Sequence, residues 1–210
     1  MHHIEPHYSW RDYYIASEDH MSPFFGREYS EFEFKDAIYN YLIHPQWDNM
    51  GSSTLYLKIL YANYDVGFCI IELFGEWNDC LYNDIMYLKR NVAEILCENG
   101  ISKFILIGEN VLNFHSSDTD YYEEWLDDVG DGWITVLNLR DHVMDEFLQY
   151  RIDHYLSMAG PLNDVHWRSL TPVQLFHKVD RIMSRSLHAY NPLYEEKPDL
   201  QNISQLKQND

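Results

Sequence analysis

Two short segments, Gly75-Glu76-Trp77-Asn78-Asp79 and Phe114-His115-Ser116-Ser117-Asp118, hold the residue types in this chain best suited to chemistry. Each is expected to be a turn at the end of a strand. Glu76 and Asp79 in the first, Glu109 ahead of the second, and Asp118 and Asp120 at its end form a set of carboxylates. Acids gathered from adjacent strand ends can hold a divalent cation, since Mg²⁺ is usually bound through one or two carboxylates plus substrate phosphates. Glu76, Glu109, Asp118 and Asp120 around Mg²⁺ or Mn²⁺ would make a hydrolase of a phosphate compound. With 34 acidic side chains in the chain, however, several near any one place are expected as solvated faces and helix N-terminal partners. Ser116 and Ser117 also admit two readings. Their hydroxyls would cap a helix, or they would belong, with His115, Glu76 and Asp79, to a regulatory or partner-binding surface.

Other chemistry finds less support. His142 and Glu146 have the i, i+4 spacing that puts both on one helix face, but no second histidine follows at metal-ligand spacing and a surface ion pair accounts for them equally well. There is no Gly-x-Ser-x-Gly elbow, and Gly108 lacks the companion glycines of a nucleotide-binding loop. Cys69, Cys80 and Cys97 have no C-x-x-C spacing and no histidine placed to activate them. No cofactor is implied outside the metal reading.

Charge narrows the partners. The 34 acidic against 15 basic side chains, a formal charge of -19, would repel phosphate backbones and anionic headgroups, so neither nucleic acid nor membrane is an expected partner. An odd number of unpaired cysteines reads as thiols in a reducing compartment. The opening Met1-His2-His3-Ile4-Glu5-Pro6 lacks a signal-peptide pattern, and no apolar run approaches the roughly 20 residues of a bilayer span. The expectation is a cytoplasmic protein. At 46% hydrophobic and 16% aromatic, the chain can build a sizeable core.

The elements that must position the two turns follow from periodicity. Ser30 and Glu33 have capping-box spacing, and Phe34, Ile38, Tyr41 and Leu42 share a helical face, which predicts a helix over about Glu31 to Ile43 ended by Pro45. Thr54 to Tyr61 and the apolar run Phe68 to Phe74 predict a hairpin feeding a central buried strand. Ile85, Leu88, Val92, Ile95 and Leu96 form one apolar stripe stopped by Asn99-Gly100, with Lys89, Arg90 and Glu94 on the other face. A strand over Lys103 to Ile107, a helix over Asp118 to Leu126, a strand over Trp133 to Leu139 and a helix over Asp141 to Leu156 come next. A last helix starts with Thr171 as N-cap and Pro172 in its first turn. From Val165 to Ala189 the chain has Arg168, Lys178, Arg181 and Arg185 with His166, His177 and His188 against a single acid, Asp180, so this helix is expected to dock on the protein's own acidic surface or on an identical subunit. The polar run beyond Pro192 predicts a disordered tail.

Phe68 through Tyr150 resembles the STAS domain, the fold of bacterial anti-sigma-factor antagonists and of some anion-transporter tails. Gly75-Glu76-Trp77-Asn78-Asp79 stands, with one extra residue, where that family has a Gly-x-x-Asp-like turn. Phe114-His115-Ser116-Ser117-Asp118 stands at its Asp-Ser-Ser-Gly turn. The resemblance implies that Ser116 matches the serine phosphorylated by a partner kinase in the antagonist branch, and that the surface around it docks that kinase. His115 in place of the preceding Asp, and Asp118 in place of the Gly, depart from the pattern. So do Asp118, Asp120, Glu123 and Glu124, which would repel a phosphate.

The expected architecture is therefore α/β, with a STAS-like, mostly parallel sheet, an antiparallel edge hairpin, helices packed on the sheet, and N- and C-terminal helical extensions. Residues 1-50 would form an aromatic arm and helix, 51-158 the α/β domain, 159-190 a docking helix, and 191-210 a disordered tail. The expected function is a non-enzymatic cytosolic binding or regulatory module whose protein partner, or identical subunit, meets the strand C-terminal ends. The alternatives are the metal-dependent hydrolase and a small-ligand sensor using the same ends.

Overall fold

In the computed structural model, residues 2–30, 32, 34 and 36–190 are described; the expected tail lies outside them. A five-stranded sheet has the order β4-β5-β6-β7-β8, built from Asp48–Asn49 (β4), Leu55–Asn63 (β5), Phe68–Asn78 (β6), Lys103–His115 (β7) and Trp133–Leu137 (β8). β5 runs antiparallel to β4 and β6, while β7 runs parallel to β6 and β8. The protein is thus mixed α/β, and the expectation of a mostly parallel sheet is corrected to equal shares. The hairpin expected at an edge carries one more antiparallel strand, β4, drawn from the residues just after Pro45. Almost every residue of β6 is buried, as its continuous apolar run requires of a strand covered on both faces.

The largest correction concerns Glu31 to Ile43, where a helix is expected. Ala37–Ile38 (β2) and Tyr41–Ile43 (β3) instead form a tight antiparallel hairpin, and His2–Ile4 (β1) adds parallel to β3 as a second, three-stranded sheet. Tyr39 at the hairpin tip has φ 51°, which no helix tolerates. Helical spacing of Phe34, Ile38, Tyr41 and Leu42 was a coincidence of composition: β-branched and aromatic residues suit a strand, and packing against β5 and β6 decides the matter. Ile38 and Ile43 bury there with Trp47, Tyr56 and Phe74.

Alternation of side chains along the strands gives the five-stranded sheet two apolar faces. On one, Cys69, Ile71, Leu73, Phe104, Leu106 and Val136 meet the helices. Those helices are Asp79–Tyr82 (α1), Asp84–Leu88 (α2), Glu94–Glu98 (α3), Asp120–Val129 (α4) and Asp141–Gln149 (α5). α2 and α3 are one helix joined through a π-helical turn, Lys89–Ala93. Its apolar stripe is buried at Ile85, Leu88, Val92 and Leu96 and half-buried at Ile95, but the wide turn rotates Lys89 inward, where Asp128, Glu124 and Glu94 hold its Nζ at 2.7, 3.4 and 3.7 Å. The helix read over Asp141 to Leu156 stops at Gln149, because Arg151 adopts φ 63° before a short 3₁₀ turn.

On the opposite face, Phe68, Ile70, Ile105, Ile107 and Leu137 meet Trp10, Trp167 and the last helix, Pro172–Tyr190 (α6). α6 begins as expected in a capping box: Gln174 N donates to Thr171 Oγ1 at 3.3 Å, and Thr171 N donates to Gln174 Oε1 at 2.9 Å. It docks through Leu175, Phe176 and Val179, with Phe176 stacked on Phe68 at 4.0 Å between ring centres. That apolar contact replaces the charge-driven docking on the chain's own acidic surface. The outer edge of β8 is closed by the segment at Ser157. Ser157 N donates to Ile134 O, and Ser157 O accepts from Val136 N and Thr135 Oγ1.

Candidate functional site

The two segments singled out in the sequence do stand side by side. Glu76 lies opposite Asn113, Trp77 opposite Phe114 and Asn78 opposite His115, so β6 and β7 finish together. Neither segment begins as a turn, however. Gly75 to Asn78 continues β6 and leads straight into α1, while β7, expected to end at Ile107, runs eight residues further to His115. Polar residues in that extension are tolerated because each finds a partner within reach, as Asn110 does at Glu72. Gly75 is where this end of the sheet is tightest. At φ 123° it lets Glu76 N donate to Thr54 O at 2.8 Å, and a Cβ at this position would lie 2.2 Å from that same oxygen.

Glu76 is the centre of a polar rim. Its Oε1 lies 3.1 Å from His115 Nε2 and accepts from Asn78 Nδ2 at 3.0 Å; its Oε2 accepts from Tyr39 OH at 2.8 Å. His115 Nε2 also lies 3.0 Å from the Asn113 side-chain amide. Tyr39 reaches Glu76 only because the hairpin tip holds it in a left-handed backbone conformation. It remains 63% exposed. Beside it, α1 presents Cys80, Leu81 and Tyr82 to solvent, with Leu81 74% exposed.

Asp79 stands at the same place but points inward. It is buried and accepts three hydrogen bonds: from Tyr122 OH at 2.6 Å, Ile85 N at 2.8 Å and Trp77 Nε1 at 3.1 Å. Burial pushes its carboxyl up to about 7, against the pull of those donors. Asp84, buried next to it, accepts from Asn78 N at 2.7 Å and Thr54 Oγ1 at 2.9 Å, and burial raises its pKa as well. These two acids are braces that tie the strand end to α2 and α4. Sequence reasoning passed over Asp84, although an acid ahead of an apolar helical stripe is the usual sign of an N-terminal brace.

Ser116 does not cap a helix. Its Oγ donates to the neighbouring Ser117 O at 3.1 Å, and the residue preceding α4 is Thr119, whose Oγ1 accepts from Tyr155 OH at 3.3 Å. Ser117 and Asp118 are exposed on this link, and Asp120 is exposed on the first turn of α4.

The proposed metal quartet is not gathered. Glu109 turns to the other part of the sheet, where Arg168 Nη2 contacts its Oε1 and Trp167 Nε1 donates to its Oε2 at 3.3 Å. Glu76 meanwhile faces Tyr39 and His115. Among the described residues no group of three or more His, Cys, Asp or Glu side chains is placed to hold a metal ion. The His142–Glu146 pair also dissolves, since His142 Nε2 lies 3.0 Å from Leu112 O.

One further polar centre was missed. Glu72, in the middle of β6, is 1% exposed; its Oε2 accepts from His7 N at 2.7 Å, its Oε1 from Asn110 Nδ2 at 3.4 Å, and Arg168 lies 3.9 Å away. Burial pushes its carboxyl up to about 7. The ring of His7 sits between the edges of Trp10 and Trp167, at 5.1 and 4.8 Å. A single acid inside the run Phe68 to Phe74 was the signal that could have found it.

No protein-family model and no curated protein matches the chain. Among solved structures it is similar to the anti-sigma factor antagonist SpoIIAA in its unphosphorylated form, with TM-score 0.41 and 14% identity over 61% of this chain and 96% of that one. It is also similar to the Bacillus cell fate determinant SpoIIAA in its phosphorylated form, with TM-score 0.36 and 11% identity over 60% and 98%. These neighbours belong to the group that the residues of the two strand-end segments resemble. Among the described residues no helix is long and apolar enough to cross a membrane.

Proposed function

We propose that this protein is a binding module with a regulatory role, whose protein partner docks on the strand-end rim formed by Tyr39, Glu76, Leu81, Tyr82 and His115. The observation that carries this reading is Leu81. A leucine 74% exposed, next in sequence to the exposed Tyr82, follows a strand end where the buried Asp79 and Oδ2 of Asp84 accept hydrogen bonds from groups of the fold. Such a surface offers apolar and aromatic contact area to a partner, and its rim of Glu76 and His115 supplies hydrogen-bonding groups for orientation. A hydrolytic site would need converging polar groups left free for substrate. The resemblance of the two segments to the STAS domain is in keeping with a module of this kind.

Cys80 supplies the test, because it is exposed while Cys69 is buried and Cys97 is half-buried. A photo-crosslinker attached at Cys80 is expected to trap one dominant protein from an extract of the cells that make this chain. The adduct should vanish when Leu81→Asp and Tyr82→Asp are introduced, and should not form from a label on Val66→Cys, at the opposite end of β6, in a Cys80→Ser background. Equal labelling from both ends, or an adduct indifferent to Leu81→Asp, would remove the reading.

A further inference from the structure

We infer that α6 of one copy of this chain docks on α4 of another. Many of the Lys and Arg side chains among the described residues are ion-paired within the fold. Arg27 and Lys58 hold Asp48, Lys89 and Arg90 hold the acids of α3 and α4, Lys103 holds Asp180, and Arg168 holds Glu109. Arg11, Arg140 and Arg151 instead contact the Gln46 side chain, Glu109 O and the His154 ring, whereas Lys178, Arg181 and Arg185 are exposed and have no ion-pair partner among the described residues. They recur at i, i+3 and i+7, which places them in one stripe about 10 Å long on the side of α6 away from its apolar contact.

α4 carries the matching stripe. Its Glu124 and Asp128 turn inward to Lys89 and Arg90, which leaves Asp120, Glu123 and Asp127 exposed, again at i, i+3 and i+7. Two helices with the same spacing and opposite charge can lie along one another with three pairs in register. They cannot do so within one molecule, because Trp125 and Val129 of α4 pack on one face of the sheet and Phe176 and Val179 of α6 on the other. The occupant of each stripe is therefore a second copy. The net charge of -19 opposes close approach at very low salt, whereas pairs in direct contact are screened less than the molecules as wholes. Association should accordingly be strongest at intermediate ionic strength.

Opposite placement has a further consequence. Each contact uses α6 of one molecule and α4 of the next and leaves one stripe free at either end, so the assembly is head-to-tail and does not close at two. This surface is distinct from the strand-end rim, and either assignment can fail without the other.

Sedimentation equilibrium of the full chain tests the inference. At about 0.1 M salt and sub-millimolar protein, the weight-average mass should rise with concentration past twice the 25.2 kDa of the monomer, and at about 1 M salt, where the screening length is near 3 Å, it should return to 25.2 kDa. The charge-reversed variant of α6 (Lys178→Glu, Arg181→Glu, Arg185→Glu) should stay monomeric, as should that of α4 (Asp120→Lys, Glu123→Lys, Asp127→Lys). An equimolar mixture of the two should associate again. Circular dichroism shows whether each variant is folded, and should one fail to fold, loss of association in the other still decides the point. A wild type that is monomeric throughout, association indifferent to salt, or association that survives either reversal would overturn the inference.

Discussion

At the scale of single residues, the two carboxyls with pKa values pushed to about 7, Glu72 and Asp79, matter most for how the protein responds to pH. Unfolded, they titrate near their ordinary values of 4.5 and 3.8; folded, burial keeps each protonated until close to neutrality. Between those limits the folded state binds more protons than the unfolded one, so stability falls as pH rises through the window from about 4 to about 7. Urea midpoints measured at pH 5 and pH 8 should differ accordingly, with the lower value at pH 8. Glu72→Gln keeps the shape and an acceptor for His7 N without the charge. The variant should lose a large part of that difference, and an unchanged difference would mean that Glu72 is not the group responsible. Asp79 stands out in the sequence from its expected place at a strand end, but local sequence could not tell an inward brace from an outward ligand. That distinction depends on Tyr122, 43 residues away, which no local pattern connects to it.

Among the elements, the legible ones were those whose burial repeats at a fixed period. The run Phe68 to Phe74 became a central strand, the Ile85 to Leu96 stripe a helix, and Thr171-Pro172 the start of α6. The failures were elements decided by distant contacts. Tyr41 to Ile43 is a strand because His2–Ile4 lies beside it, and β7 reaches His115 because β6 is there to pair with it. Lys89 moved from the expected solvent side to the interior by one wide helical turn. Gly75 is the residue on which the end of β6 depends most directly. Gly75→Ala would place a Cβ against Thr54 O in a backbone region that alanine rarely adopts, and should destabilise the protein by about 2 kcal/mol or more. Thermal unfolding reads the stability change. Hydrogen exchange at Glu76 N, whose bond to Thr54 O would be strained, should rise more than at residues in the middle of the sheet.

For the molecule as a whole, the N-terminal arm and the C-terminal segment act as one cover over the sheet face that the other helices leave open. Trp10 is buried, its Nε1 donates to Leu170 O at 3.0 Å, and its ring meets Trp167 edge-on at 5.5 Å. Residues 160 positions apart in sequence therefore share one cluster. Trp10→Ala should cost roughly 3 to 5 kcal/mol, as expected for deleting a buried large aromatic, and should expose α6 to proteolysis along with the arm. Loss of the arm alone, with α6 still protected, would show that the two are not coupled. The β8 edge adds one more property of the whole. Because Ser157 takes up Ile134 O and Val136 N in the middle of that flank, a foreign strand finds the ladder already interrupted there, and the cross-β stacking that turns exposed edges into fibrils is hindered at its starting point.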